Sequence, residues 1–209
     1  MEKAAYTQAK LCWGARHYMD GDDCEIRRPA VNETALTPSR NITAPVESEP
    51  WHLPTHWWHP DPFQNVSTFT VVRNPYSRVL SEYYCRFFGP TTYANQKADP
   101  AYMNRWIQET IEKNKKRRQV GHMMPSHYFV YDDNGNRRIT HILGYEQLHD
   151  DFRRLMEMYN LSAIRLEPKP ELPSVTKQKY PRLSERDFSK ESIEVINEYF
   201  AHDFDRFGY

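Results

Sequence analysis

The sequence predicts an α/β domain built on a mostly parallel sheet, and three observations carry that reading. First, VSTFTVV (66–72) is rich in β-branched and aromatic residues and runs straight into Asn74-Pro75 and a stretch of helical periodicity. A strand, a tight turn and a helix therefore follow one another. Second, helical and extended patterns continue to alternate beyond this unit, the order expected of parallel strands joined by helical crossovers. Third, the 209 residues are 39% hydrophobic and 14% aromatic, enough burial to offset chain entropy and close a core.

Taken in order, residues 1–50 form an irregular N-terminal segment. Pro29, Pro38, Pro45 and Pro50, then Pro54 and Pro60, interrupt any apolar periodicity, so this stretch reads as an excursion over the surface. Trp51, Trp57 and Trp58 are expected to pin its end to a core, and residues 51–209 form the domain proper. Behind the strand at 66–72, Asn74 suits an N-cap and Pro75 the first helical position, where the missing N–H costs nothing. Val79, Leu80, Tyr83, Tyr84 and Phe87 continue the helix until Gly89-Pro90. A second helix is predicted from Pro100 to Arg118. Tyr102, Met103, Trp106, Ile107 and Ile111 form its apolar side, and five cations between Lys113 and Arg118 complement its C-terminal dipole. Residues 128–131 (YFVY) and 138–143 (RITHIL) flank the turn Asp133-Asn134-Gly135-Asn136 and are expected to be two short strands, or a strand and an extended edge. Tyr145 to Tyr159 is an amphipathic helix with Leu148, Phe152, Leu155, Met156 and Tyr159 in phase. Four prolines in 168–183 predict an irregular loop, and Ser189 opens a last helix carrying Ile193, Val195, Ile196, Tyr199 and Phe200. No internal repeat is present.

Charge and motif content exclude several function classes. Lys plus Arg and Asp plus Glu both number 28, for a formal net charge of zero. A globally basic nucleic-acid binder is thereby excluded, and any anion site must be a local cluster. No apolar run approaches the length of a membrane span, and the first ten residues lack the apolar centre of a signal peptide. Cys12, Cys24 and Cys85 form no Cys-x-x-Cys pair, so zinc-ribbon and thioredoxin-type sites have no support. Neither G-x-x-x-x-G-K-[ST], G-x-G-x-x-G nor G-x-S-x-G occurs, which disfavours ordinary ATPases, dinucleotide-binding dehydrogenases and serine hydrolases. Four glycosylation sequons begin at Asn32, Asn41, Asn65 and Asn160, where 11 asparagines and 23 serines plus threonines give about one by chance. The excess points toward a secretory-pathway lumen.

The segment VVRNPYSRVLSEYYCRF (71–87) is the richest in chemistry. Arg73 ends a buried strand where a helix N-terminus begins, so its guanidinium joins orphan backbone N–H groups at the positive end of the helix, a natural pocket for phosphate. Ser81, two turns further on, offers a hydroxyl to the same anion. The competing reading pairs Arg73 with a structural carboxylate and leaves Ser81 on a solvated face. A second candidate is WHLPTHWWHP (51–60). His52, His56 and His59 imitate a metal-ligand spacing, but Pro54 and Pro60 oppose the continuous helix that spacing needs, so no metal is expected. The run KNKKRR (113–118) fits both a solvated helix end and a steering patch for an anionic ligand.

Together these segments resemble the Golgi carbohydrate sulfotransferases, the enzymes related to heparan and chondroitin sulfotransferases. VVRNPYSRVLSEYY resembles their segment for the 3′-phosphate of the nucleotide. HILGYEQLHDDFRRLMEMYNL (141–161), LPSVTKQ (172–178) and YFAHDFDRFGY (199–209) match later motifs in the family's order, so the resemblance covers roughly residues 51–209. It implies a P-loop-NTPase-like central parallel sheet flanked by helices, with 3′-phosphoadenosine-5′-phosphosulfate (PAPS) as co-substrate and no metal. Arg73 and Ser81 would hold the 3′-phosphate, with Lys177 in the LPSVTKQ loop as a weaker nucleotide contact. Some relatives place a catalytic histidine ahead of the phosphate-binding strand. That implies His52 as general base for a sugar hydroxyl, with His56 second, against a reading in which these histidines only pack among aromatics. The implied partner is a glycan acceptor, anionic if the basic run steers it, with no nucleic acid. The implied location is the Golgi lumen, with membrane attachment only through an anchor not present in this chain.

One departure accompanies the resemblance. The family carries an earlier strand-loop-helix of the form Pro-Lys-x-(Gly/Ala)-x-(Ser/Thr)-(Ser/Thr) around the 5′-phosphosulfate, and residues 1–50 contain no match. The first strand-loop-helix unit is thus expected to be missing. Two expectations follow: a carbohydrate sulfotransferase, or a catalytically inactive relative that binds nucleotide or glycan.

Overall fold

The computed structural model describes residues 37–38, 54–59, 65–85, 89–90, 98–116, 122–166 and 182–209. The chain divides into two compact units, one formed by Met1–Val72 and Tyr128–Pro168, the other by Arg73–His127 and Lys169–Tyr209.

In the first unit, strand β1 (Thr37–Pro38) pairs antiparallel with β2 (Trp58–His59). Strand β3 (Phe69–Val72) pairs in parallel with β4 (His141–Gly144), Phe69 opposite His141 and Val72 opposite Gly144. Thr68 and Thr140 brace the entry to that ladder reciprocally. Each backbone N–H donates to the other's side-chain hydroxyl, at 3.1 and 3.2 Å. A parallel pair this far apart in sequence needs a long crossover, and it supplies the β part of the α/β class. After β4 a 3-10 turn (Tyr145–Gln147) leads into an amphipathic helix, Leu148–Met158. Phe152, Leu155 and Met156 of this helix form a core with Leu143 and Ile164, against which Phe69 and Leu148 pack. Trp57, in the 3-10 turn Thr55–Trp57, is 4% exposed and lies 6.2 Å from the ring of Tyr128. Of the three tryptophans expected to anchor this end of the chain, it is the one whose burial is described.

Four helices make up most of the described residues of the second unit. They are α1 (Pro75–Tyr83), α2 (Pro100–Lys116), α5 (Lys190–Tyr199) and α6 (Ala201–Phe207). The labels α3 and α4 belong to His127–Val130, where the chain passes in sequence from one unit to the other, and to the Leu148–Met158 helix already described. Val79 and Tyr83 of α1, Met103, Ile107 and Ile111 of α2, and Ile196 and Phe200 near the C-terminus form its fully buried core. Asn104 ties α2 to the entry of α5. Its amide donates to Pro100 O (2.7 Å) and Asp187 O (2.9 Å), and its Oδ1 accepts from Ser189 N (2.7 Å).

Two expectations from the sequence need correction. Helix α1 ends at Tyr83 rather than continuing to residue 88. Gly89 N–H donates to Cys85 O at 3.0 Å, and a Cβ at Gly89 would stand 2.3 Å from the Tyr83 carbonyl. The chain turns tightly over the helix end here, which a longer helix would forbid and which only glycine permits. Residues 128–130 form the helical turn α3 rather than a strand; Tyr131 makes a single bridge to Arg137 across the Asp132–Asn136 turn. The cause is a contact distant in sequence. The Asp203 carboxylate accepts from Ser126 N (2.7 Å) and His127 N (2.8 Å), satisfying the donors at the start of that turn. This outweighs the β propensity of Tyr-Phe-Val-Tyr.

Candidate active site

Between the end of β3 at Val72 and the start of α1 lie only Arg73 and Asn74. Asn74 stays outside the helix (φ −48°, ψ 127°) and its Oδ1 accepts from Tyr76 N at 2.9 Å; Pro75 follows at the first helical position. The cap is the one the sequence predicts. Arg73 does not extend away from the helix it precedes: its Nε donates to Ser77 Oγ at 2.8 Å, and Ser77 Oγ donates to Asn74 O at 3.3 Å. Ser81, half-buried, lies four residues beyond Ser77 and hence on the same helix face, one turn on. The Arg73 side chain is thus held against the first turn of the face that carries Ser81. A guanidinium, a helix N-terminus and a hydroxyl row converge on one side of α1, a combination suited to a phosphate or sulfate.

Behind that turn sits a second arginine with a different task. Arg78 Nη1 donates to Ser126 Oγ (2.7 Å) and Nη2 to His122 O (3.1 Å), and its guanidinium lies 6.0 Å from the centre of the Phe200 ring. Burial pulls the Arg78 pKa below its ordinary value, while Asp203 and Glu82 act in the opposite sense and Arg73 adds to the depression. The Asp203 carboxylate, fully buried, holds Ser126 N, His127 N and His127 Nδ1, the last at 2.8 Å. Glu82 approaches His122 Nδ1 at 3.4 Å. Arg78 and Asp203 together lock residues 122–127 onto α1 and the C-terminal helices.

Most of the chain bears on what this arrangement belongs to: a family model described as Sulfotransferase family matches residues 15–209. The chain belongs to the sulfotransferase family. No curated protein and no solved structure matches it. Family membership implies a transferase that moves sulfuryl groups, and it accords with the resemblance read from residues 71–87.

Other candidate residues of this sulfotransferase are placed unevenly. His56 occupies the 3-10 turn of the first unit, with both ring nitrogens buried and its ring edge-on to Trp57 at 6.1 Å. His52 and Lys177 lie outside the described residues. Arg182 and Leu183, five and six residues after Lys177 in the sequence, are held on Tyr84 at the C-cap of α1. Leu183 N donates to the Tyr84 hydroxyl at 2.7 Å, and the Arg182 guanidinium stacks 4.4 Å from its ring. Of the basic run, Lys115 pairs with Glu198 at 3.0 Å, whereas Lys113 and Lys116 are exposed. Among the described residues no group of three or more His, Cys, Asp or Glu is arranged to hold a metal ion, and no helix is long and apolar enough to cross a membrane. Sequence reasoning missed Ser77, Arg78 and Asp203. Ser77 and Arg78 stand inside the very segment singled out, but nothing in one sequence shows that they contact Arg73 and residues 122–126.

Proposed function

We propose that this sulfotransferase moves the sulfuryl group of PAPS to a carbohydrate hydroxyl in the Golgi lumen. The observation that supports it best is Arg73, folded back by Ser77 onto the capped N-terminus of α1, with Ser81 one turn further along the same face. In this reading Arg73 and Ser81 hold the nucleotide 3′-phosphate, Lys177 adds a cation from its loop, and the parallel strands belong to a P-loop-like sheet. The acceptor oxygen attacks sulfur in line, the bond from sulfur to the bridging phosphate oxygen breaks, and adenosine 3′,5′-bisphosphate leaves with the electron pair. His52, with His56 as second choice, accepts the hydroxyl proton. Exposed Lys113 and Lys116 suit a glycan that already carries negative charge. The four sequons favour the lumen.

A second reading has one specific observation behind it. Residues 1–50 contain no Pro-Lys-x-(Gly/Ala)-x-(Ser/Thr)-(Ser/Thr) segment, so the preorganised donors for the charge developing on the bridging oxygen are not identified. Losing one such donor typically costs about two to three powers of ten in rate. On that reading the chain binds nucleotide or glycan without turning it over. Labelled-sulfate transfer from PAPS to a glycan panel, run beside calorimetric titration with adenosine 3′,5′-bisphosphate, separates the two. Transfer that falls in His52→Ala with nucleotide affinity retained supports the enzyme, and binding without transfer supports the second reading. Arg73→Ala is expected to weaken the bisphosphate about ten- to a hundred-fold, as loss of a charge-assisted bond should. An unchanged affinity removes Arg73 from the site.

A further inference from the structure

We propose that Ser77 is a positioning residue for nucleotide recognition: its hydroxyl fixes the orientation in which Arg73 meets the 3′-phosphate. The inference rests on the assignment of Arg73 made above and concerns a residue that does not itself touch the nucleotide.

A serine hydroxyl has one proton to give and lone pairs to receive with. At Ser77 both capacities are used within the same turn. The proton goes to the Asn74 carbonyl, at 3.3 Å, and a lone pair receives Arg73 Nε–H, at 2.8 Å. That carbonyl is itself fixed, because it also accepts the first helical bond from Arg78 N at 2.9 Å, and the Asn74 side chain caps Tyr76 N at 2.9 Å. The hydroxyl is therefore oriented by rigid backbone and in turn orients the arginine.

The consequence for Arg73 follows from the shape of the guanidinium. The group is planar, so fixing Nε–H fixes the plane and the direction of the Nη edge, the edge that meets a phosphate bidentately. An arginine side chain otherwise loses much of its rotamer entropy when it is immobilised. Ser77 makes that loss in the folded protein before ligand arrives, which is how a preorganised contact gains affinity. Ser77 and Ser81 lie one turn apart on the same face of α1, so the bond to Ser77 holds the arginine on the side of the helix that carries Ser81. Selectivity for a nucleotide bearing a 3′-phosphate over one without it is the property Ser77 should control.

Ser77 is half-buried, so its removal strands no deeply buried group. Threonine keeps the hydroxyl and in a helix readily bonds the carbonyl three residues back, the bond seen here. The test is calorimetric titration of the full chain with adenosine 3′,5′-bisphosphate and with adenosine 5′-monophosphate, alongside thermal melts. It compares wild type, Ser77→Ala, Ser77→Thr, Arg73→Ala and the Arg73→Ala/Ser77→Ala double variant. Ser77→Ala should lower the bisphosphate-to-monophosphate affinity ratio about three- to tenfold, with the monophosphate affinity and Tm unchanged. Ser77→Thr should restore the ratio, and Ser77→Ala should add nothing once Arg73 is alanine. If Arg73→Ala collapses the ratio and Ser77→Ala leaves it intact, the Ser77 proposal fails while the Arg73 assignment stands. A ratio unmoved by Arg73→Ala, or a wild type that binds no bisphosphate, overturns both. Equal loss of both nucleotides with a lowered Tm would mean that Ser77 only supports the helix, and would also overturn the proposal.

Discussion

Arg73 and Arg78 stand five residues apart in one short segment, and their surroundings give them opposite tasks. Arg73 is held through Nε by a hydroxyl on its own helix, whereas both Nη groups of Arg78 are committed to Ser126 Oγ and His122 O. The first is the arginine proposed above for the 3′-phosphate; the second joins α1 to residues 122–127. Arg78→Ala is accordingly expected to lower stability by about 2–4 kcal/mol, since it strands its acceptors and leaves the fully buried Asp203 without a nearby cation. Arg78→Lys should recover little, because a single ammonium cannot span two acceptors that the guanidinium fork reaches together. Urea unfolding of the full chain measures both, and a lysine variant as stable as wild type would show that charge alone suffices at this position.

At the scale of elements, what could be read in advance and what could not divide along the range of the forces involved. Asn74-Pro75 and Ser189 are caps whose effect is exerted within three residues. Both appear where the sequence puts them, with Tyr76 N bound to Asn74 Oδ1 and Ser192 N bound to Ser189 Oγ. The helix at Leu148–Met158 and the apolar stripe of α2 follow from periodicity alone. Residues 128–130 were not legible, because their helical turn is satisfied by Asp203, more than seventy residues away. The end of α1 was not legible either, since periodicity continues to Phe87 while the turn at Gly89 halts the helix at Tyr83. For the site, residue types and spacing pointed to Arg73 and Ser81, but the role of Ser77 depends on a rotamer. The Ser189 cap gives a prediction with a pH signature. The Glu191 carboxyl is held below its ordinary pKa by its own backbone N–H and then by the Ser189 hydroxyl. A depressed carboxylate adds stability above its unfolded pKa, and that increment is lost as pH falls through the folded value. Ser189→Ala should therefore cost about 1 kcal/mol at neutral pH and less once the pH has fallen through the folded Glu191 value, where that part of the cap's contribution is lost. Thermal melts across that range check it, and a cost that does not shrink on the acid side would separate Glu191 from the cap.

At the scale of the whole molecule, the family match runs through both units, from residue 15 to residue 209. The described sequons, by contrast, belong to the first unit alone. Asn65 and Asn160 are both exposed and both adopt left-handed backbone angles, φ 65° and 57°, a conformation asparagine tolerates in turns better than most residues. Ser67 and Ser162, which complete the two sequons, are exposed as well, so neither site asks the chain to unfold in order to present its amide. If the protein works in the secretory lumen, these asparagines should carry glycans. Material made in a secretory host with a signal supplied should lose mass on endoglycosidase treatment, and Asn65→Gln and Asn160→Gln should each remove one step of that shift. Both asparagines hold left-handed angles that glutamine tolerates less well, so each substitution should cost up to about 1 kcal/mol, a Tm drop of about 2–4 °C at most for a chain of this size, and leave the protein folded. The glutamine variants thereby separate occupancy from folding. A wild-type product with no glycan at either site, although folded and secreted, would remove the main sequence argument for the lumen and leave the location resting on family resemblance.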